Sequence, residues 1–273
     1  MAKRARPAAR PGTLMLIGGA EDKFEQKFLL KTFFERSGGA KARLTILPSA
    51  SESADSGAIY HQIFTDFGAK SVRVLPLFNR EEANLSEVAR ELASSKGIFL
   101  TGGDQSKIVR ILQDTASHRA ILSAYERGAI VSGTSAGAAA MSDPMIASGL
   151  VGSLARSGMV KLAAGLGLTG RLLIDQHFHQ RNRLGRLLTA VMSYPHMLGV
   201  GVDEDTAAMV APEGVLTVIG RGTVTIIDPS GLKCVDLATT PDKSPLPFSH
   251  MVLHTLVNGG RFDLNKRAIM PEE

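Results

Sequence analysis

Short apolar runs alternate with stretches of helical spacing along the first half of the chain, and glycine closes most of them. Thr13 to Ile17 reads as a buried strand ending at Gly18-Gly19-Ala20-Glu21-Asp22. Phe24 to Glu35 then has helical spacing, with Phe24, Phe28, Leu29 and Phe33 on one face, until Gly38-Gly39 stops it. A strand over Arg43 to Leu47 is closed by Pro48-Ser49-Ala50-Ser51, and a helix follows from Gly57 to Phe67. Val72 to Leu75 is a strand, Leu85 to Ser95 a helix, and Gly97 to Leu100 a strand. Helices Gln105 to Gln113 and Ala116 to Arg127 lead to a strand from Ala129 to Val131. Such βα alternation predicts an α/β fold, a mostly parallel sheet with helices on both faces and reactive groups at the carboxyl ends of its strands.

The second half is patterned more weakly. Ser142 to Gly158 reads as a loop beside the reactive edge, and Leu172 to Ile174 and Leu198 to Val202 read as strands. Val215 to Ile219 and Thr223 to Ile227, joined through Gly220-Arg221-Gly222, have the form of a hairpin. Pro241 to Pro247 is a loop and Phe248 to Leu256 a strand. No repeat or linker divides the chain, so residues 13–273 are expected to form a single α/β domain behind a flexible basic tail over 1–12.

Composition narrows the class. With 44% hydrophobic and 21% charged residues among 273, the chain matches neither a disordered nor a membrane protein, and no apolar run is long enough to span a bilayer. Its single cysteine, Cys234, rules out an internal disulfide framework, fits a reducing, cytoplasmic setting as well as it fits secretion of a disulfide-free protein, and reads as a small buried hydrophobe. Lys3, Arg4, Arg6 and Arg10 supply four of the five net positive charges, so the body is near neutral. No aromatic residue is interleaved with those charges, which argues for a frayed tail and against a nucleic-acid partner. The tail lacks the apolar stretch of a secretory signal.

Candidate chemistry centres on Gly133-Thr134-Ser135-Ala136-Gly137, where a strand meets a run of small residues. The pattern Gly-x-Ser-x-Gly is that of a nucleophile elbow: Ser135 stands at the apex and the N–H of Ala136 faces whatever it attacks. A tight turn with a structural serine has the same pattern, so a base and an oxyanion site must be found elsewhere. Gly18-Gly19 lacks the spacing of a dinucleotide loop. Thr101-Gly102-Gly103-Asp104-Gln105 follows a strand, and its bare N–H groups can join that of Ala136 while Gln105 reaches a substrate amide or carboxylate.

The run from Asp175 to Arg186 holds a histidine at a strand end, His177, placed to serve Ser135 as general base. Arg181, Arg183 and Arg186 are close enough that at least two can point together, a cluster suited to a carboxylate or phosphate, although a solvated helix face would read the same. His177 and His179 would face the same way in a strand, but the other histidines show no ligand spacing and no metal is expected. Asp203-Glu204-Asp205 follows the next strand; Glu204 is the central choice to orient the imidazole, with Asp203 and Asp205 as turn or cap residues. The order Ser135, His177, Glu204 differs from the serine, acid, histidine order of α/β-hydrolases and matches the class I glutamine amidotransferase architecture.

Taken together, these segments, with Leu16 to Asp22 and Gly201 to Ala207, resemble the cyanophycinases of the serine peptidase family that also contains dipeptidase E. Asp175-Gln176-His177-Phe178 with its three arginines is similar to the cyanophycinase branch. The resemblance implies a flavodoxin-like core, a homodimer, no metal or other cofactor, and hydrolysis of cyanophycin. That polymer has a poly-aspartate backbone with arginine on each side-chain carboxyl, and β-Asp-Arg dipeptides are the implied products. It implies Ser135 as nucleophile, His177 as base and then acid, and Glu204 as its partner. Ala136 and Gly103 would hold the oxyanion, and Gln105, Asp175, Gln176, Arg181, Arg183 and Arg186 the substrate. Asp175 either helps with the substrate guanidinium or is structural. The segment Ile146 to Gly152 departs from the family's glycine-rich form, which leaves open a dipeptidase E-like enzyme for other aspartyl or isoaspartyl dipeptides. A non-catalytic amidotransferase-like binding module is the reading from another class.

Overall fold

A computed structural model describes residues 11–271 except 50–54, 235, 236 and 238. The basic tail lies outside the described residues as far as residue 10, as do Ala50 and Ser51 of the turn after the second strand.

The first half follows the expected alternation. Its strands are β1 (Leu14–Ile17), β2 (Arg43–Leu47), β3 (Ser71–Val74), β4 (Gly97–Leu100) and β5 (Ile130–Thr134). Its helices are α1 (Phe28–Arg36), α2 (Ser56–Asp66), α3 (Arg80–Ala83), α4 (Ser86–Ser94), α5 (Gln105–Leu112), α6 (Ala116–Glu126) and α7 (Ala136–Ala139). After these come β6 (Met145–Gly149), β7 (Val160–Ala163), β8 (Leu172–Gln176), α8 (Leu184–Ser193), β9 (Leu198–Val202), β10 (Thr206–Val210), β11 (Val215–Gly220) and β12 (Val224–Asp228). Short strands complete the chain: β13 (Lys233–Cys234), β14 (Phe248–Ser249), β15 (Val252–Leu256), β16 (Arg261–Asp263) and β17 (Ala268–Ile269).

Nine strands form the main sheet in the order β17-β16-β11-β10-β1-β5-β4-β2-β3. The five from β1 to β3 in that order are parallel, and the four beyond β1 are antiparallel. Strands β1 and β4 read as unbroken apolar runs because both their faces are covered. Met15 and Ile17 pack with Phe33, Tyr60 and Phe64 of α1 and α2, whereas Leu14 and Leu16 pack with Val88, Ile108 and Ile121 of α4, α5 and α6. Period-two alternation along β1 thus sends successive side chains into two separate helical layers. A second sheet, β15-β12-β9-β8, is parallel only between β8 and β9, and α8 packs on it.

Several expectations are corrected. Helix α1 starts at Phe28 and not at Phe24, because the Asp22 carboxylate accepts the N–H groups of Phe24, Glu25, Gln26 and Lys27 at 2.6–2.9 Å. A side chain that takes four successive donors offers the backbone a compact turn in place of a helix, and Phe24 is left 88% exposed. Ser142 to Gly158 is not wholly a loop, since β6 pairs with β7. Cys234 is exposed because its two-residue strand pairs only with β14. The strand expected over Phe248 to Leu256 is broken at His250, which has φ 61°.

The most consequential correction concerns Gly220-Arg221-Gly222. Strands β11 and β12 form no hairpin; they belong to different sheets. Strand β9 pairs with β12 and β10 with β11, so two antiparallel chain paths cross together from one sheet to the other. The reversal that joins them is at residues 211–214. One path bends at Asp203–Asp205 and the other at 221–223, and the two bends pack on each other: Arg221 N–H donates to Asp205 C=O at 2.9 Å. Glycine permits the contact, because Gly220 has φ 116° and a Cβ there would lie 2.3 Å from Asp205 O. A Gly-x-Gly run carries the same local signal whether the chain reverses or turns a corner, and only the pairing partners decide.

Gly220→Ala is therefore expected to destabilise the fold by about 2 kcal/mol in urea unfolding, since it combines an unfavourable φ with a backbone clash. A loss below about 0.5 kcal/mol, the range of ordinary surface substitutions, would show that the corner has no such constraint.

Candidate active site

Four strand ends converge beside β5. Between β5 and α7 the chain turns at Ser135 with φ 53° and ψ −117°, a conformation few non-glycine residues adopt. Close packing around the turn requires glycine. A Cβ on Gly133 would lie 2.4 Å from Gly137 backbone atoms, and one on Gly137 would lie 2.3 Å from Leu100 O. The turn after β4 runs against the same side chain: Gly103 has φ 139°, and a Cβ on Gly102 would come within 3.9 Å of Ser135 Oγ. Gly102 and Ala136 thus flank Ser135 from two strand ends.

His177 follows β8 directly, its own backbone at φ 44°. Its Nε2 lies 3.0 Å from Ser135 Oγ, and its Nδ1 lies 2.5 Å from Glu204 Oε1 at the β9–β10 corner. Gln176 Oε1 lies 3.3 Å from Ser135 Oγ. The structure therefore brings Ser135, His177 and Glu204 into one continuous relay. Burial pushes the imidazole below its ordinary range; Glu204 works against this, and the Arg181 and Arg183 charges add to it.

Asp203 and Asp205 hold the corner. Asp203 accepts from His179 N–H at 3.0 Å, His179 Nδ1 at 2.9 Å and Thr223 Oγ1 at 2.7 Å, so both histidines of the run have carboxylate partners. Burial alone would raise the Asp203 carboxyl, but these donors outweigh it and hold the group below its ordinary value. Asp205 Oδ1 accepts from Asp22 N–H at 3.0 Å. Among the described residues, no group of three or more His, Cys, Asp and Glu side chains could hold a metal ion.

The arginine run divides. Arg181 is exposed, while Arg183 and Arg186 are buried against Asp175. Arg186 engages both Asp175 oxygens, Nε meeting Oδ2 at 2.6 Å, and Arg183 Nη1 lies 3.3 Å from Oδ1 and 2.5 Å from Gln176 O. Arg183 Nε is buried with no hydrogen-bond partner among the described residues. Burial, together with repulsion from Arg186 and Arg181 and only partly offset by Asp175, lowers the guanidinium of Arg183 to about 10. Gln105 Nε2 donates to Ile146 O at 3.1 Å and Ala147 O at 2.7 Å, which ties α5 to the strand after α7.

Two groups at the site were not singled out from the sequence. Gly19 packs on the imidazole so tightly that a Cβ would lie 2.3 Å from His177 Nε2, and Gly18 O accepts the His177 N–H at 2.7 Å. A Gly-Gly pair after a strand signals a close approach of another group as well as a phosphate loop, and here the group is an imidazole. Gln180 Oε1 accepts the Glu204 N–H at 3.1 Å, a contact that no local pattern announces.

The sequence pattern of Peptidase family S51 matches residues 14–218, which takes in all three relay residues. A cyanophycinase of Trichormus variabilis is 43% identical over 267 residues, covering 97% of this chain and 90% of that protein. A cyanophycinase of Geminocystis herdmanii is 38% identical, covering 92% of this chain and 93% of that one. Among solved structures, a peptidase from an acI-B1 Actinobacterium superposes with a TM-score of 0.66 at 19% identity, covering 94% of this chain and 98% of that one, a likeness of fold. A match across most of the length, with the serine, histidine and carboxylate all inside it, means that this chain belongs to Peptidase family S51.

Proposed function

We propose that this protein is a serine peptidase that hydrolyses cyanophycin to β-Asp-Arg dipeptides through an acyl-serine intermediate. The carrying observation is the relay at 3.0 and 2.5 Å, and the substrate follows the relatives that bear the name cyanophycinase. Ser135 Oγ attacks the scissile carbonyl as His177 Nε2 takes its proton, and Glu204 stabilises the imidazolium through Nδ1. The strained turn at Ser135 acts as a nucleophile elbow, with the oxyanion facing the N–H groups of Ala136 and Gly103, each such donor contributing about 3 kcal/mol. His177 then delivers the proton to the leaving amine, and water, deprotonated by the same base, releases the dipeptide.

The anion site of this reading is the arginine run. Two buried guanidinium groups face one carboxylate, Asp175, and a buried excess charge favours an incoming anion. The free α-carboxylate of an arginine unit of the polymer supplies it beside Gln176, since both carboxyls of each backbone aspartate are in amide bonds. With Asp175 committed to Arg186, its role is to hold the arginines. Gln105 acts by fixing the segment after α7, and Arg181 supplies an exposed cation at the rim.

Residues 13–273 act as one catalytic domain. This is supported by a hydrophobic cluster containing Leu100 and Val131 of one sheet together with Ile174, Val200 and Ile226 of the other. The order β3-β2-β4-β5 corresponds to the flavodoxin-like order 2-1-3-4. A homodimer in the cytoplasm completes the proposal. Among the described residues no helix is long and apolar enough to cross a membrane.

The parent protein should clear a suspension of insoluble cyanophycin and yield β-Asp-Arg by mass, and Ser135→Ala should not. No clearing by a parent that still reacts with a serine-directed probe would sink the substrate assignment. The base must be neutral, so activity should persist as pH falls to the lowered value of His177 and be lost through it. The acidic limb of kcat/KM should then lie below about 6.5, the ordinary histidine value. Glu204→Gln removes an interaction that raises the imidazole, so the limb should move further down while kcat falls on the order of 10⁴-fold. An upward shift would mean that Glu204 is not the partner of His177.

A further inference from the structure

Glu21 is a carboxylate buried to 3% exposure that the reaction scheme does not use. Its Oε1 meets the Tyr60 hydroxyl and, at 2.9 Å, the Lys23 ammonium, while Oε2 accepts from Thr134 Oγ1 at 2.5 Å. Thr134 immediately precedes Ser135. Tyr60 stays a donor, because burial foremost, and the neighbouring Glu21 charge, push its hydroxyl well above the ordinary value. Burying such a charge at a strand end is costly, and an apolar contact would close the same space at no loss of stability. Its geometry gives a reason for its presence.

The segment that bears Glu21 touches the neighbourhood of every relay residue. Gly18 O holds the His177 N–H, Gly19 lies against the imidazole, Gly19 O accepts Asp205 N–H at 2.9 Å, and Asp22 N–H reaches the Asp205 carboxylate. On the serine side the backbone holds through Ile17 O, which accepts the Ser135 N–H at 3.0 Å, and Glu21 adds a side-chain hold through Thr134. We propose that Glu21 is a positioning residue: braced by Lys23 and Tyr60, it fixes Thr134 and so holds Ser135 at an angle to His177 that the Gly18–Asp22 segment sets from the other side. This rests on the reading of Ser135 as nucleophile.

The test is the rate at which a fluorophosphonate labels the serine, a reaction that needs no polymer, together with kcat and KM on cyanophycin. Thr134→Val keeps the shape and removes the donor; Thr134→Ser keeps the donor. The Val variant should lose on the order of tenfold or more in labelling rate and in kcat, with KM within about twofold, and the Ser variant should stay within about twofold of the parent. Glu21→Gln should follow the Val variant; if it does not fold, the threonine pair decides alone. Labelling of Thr134→Val at the parental rate, or equal losses in the Val and Ser variants, would overturn the inference. If the parent labels but does not clear cyanophycin, the substrate reading falls and the inference stands. If Ser135→Ala labels as well as the parent, the nucleophile reading falls and the inference falls with it.

Discussion

Ser135 occupies a backbone conformation that costs energy, and the surrounding structure exists in a form that leaves it no other. The turn from β5 into α7 is squeezed between β4 and its own helix, where Gly133 and Gly137 allow backbone to touch backbone. The strain is therefore met by packing in the parallel half of the main sheet, where β1, β4 and β5 are buried along their whole length. A more exposed turn could relax, and the hydroxyl would lose its fixed direction. Pre-organisation of this kind removes reorganisation from the barrier, which is where the polypeptide can contribute most to acyl transfer.

The acid partner arrives by a different route. Glu204 sits on a corner between two sheets and is held by contacts of its neighbours: Asp203 to Thr223 and His179, and Asp205 to Asp22 and Arg221. Glu204 itself keeps its carboxylate for His177. Flanking acids that anchor the backbone thus leave the middle one to His177, so three carboxylates stand in a row without competing for that imidazole. The glycines at 220 and 222 belong to the same device, for a side chain on either would push the second bend away from the first.

Much of this was legible before the structure. Short apolar runs bounded by glycine or proline mark the strands of the parallel half, most clearly β1 and β4, which are buried on both faces and apolar throughout. Ser135, His177 and Glu204 could be named since each follows such a strand. Elements set by distant partners were not legible. Asp22 displaces the start of α1 through a side chain that local helical spacing ignores, and Gly220-Arg221-Gly222 looks the same in a reversal and a corner. The division of the arginines also depends on tertiary context: spacing places Arg183 and Arg186 together, but only the fold shows Asp175 between them.

The arginines and the base are coupled through charge. Arg181 and Arg183 lower the His177 pKa, which makes the free enzyme a weaker base than its pairing with Glu204 alone would give. An anion beside Arg183 offsets part of that positive potential, and the sign of the effect on His177 is then upward. In the proposed mechanism a carboxylate-bearing substrate would therefore strengthen His177 as a base, whereas a neutral molecule in the same place would not. The charge of the substrate itself would thus raise the basicity of His177 in that mechanism, an electrostatic effect that requires no moving part.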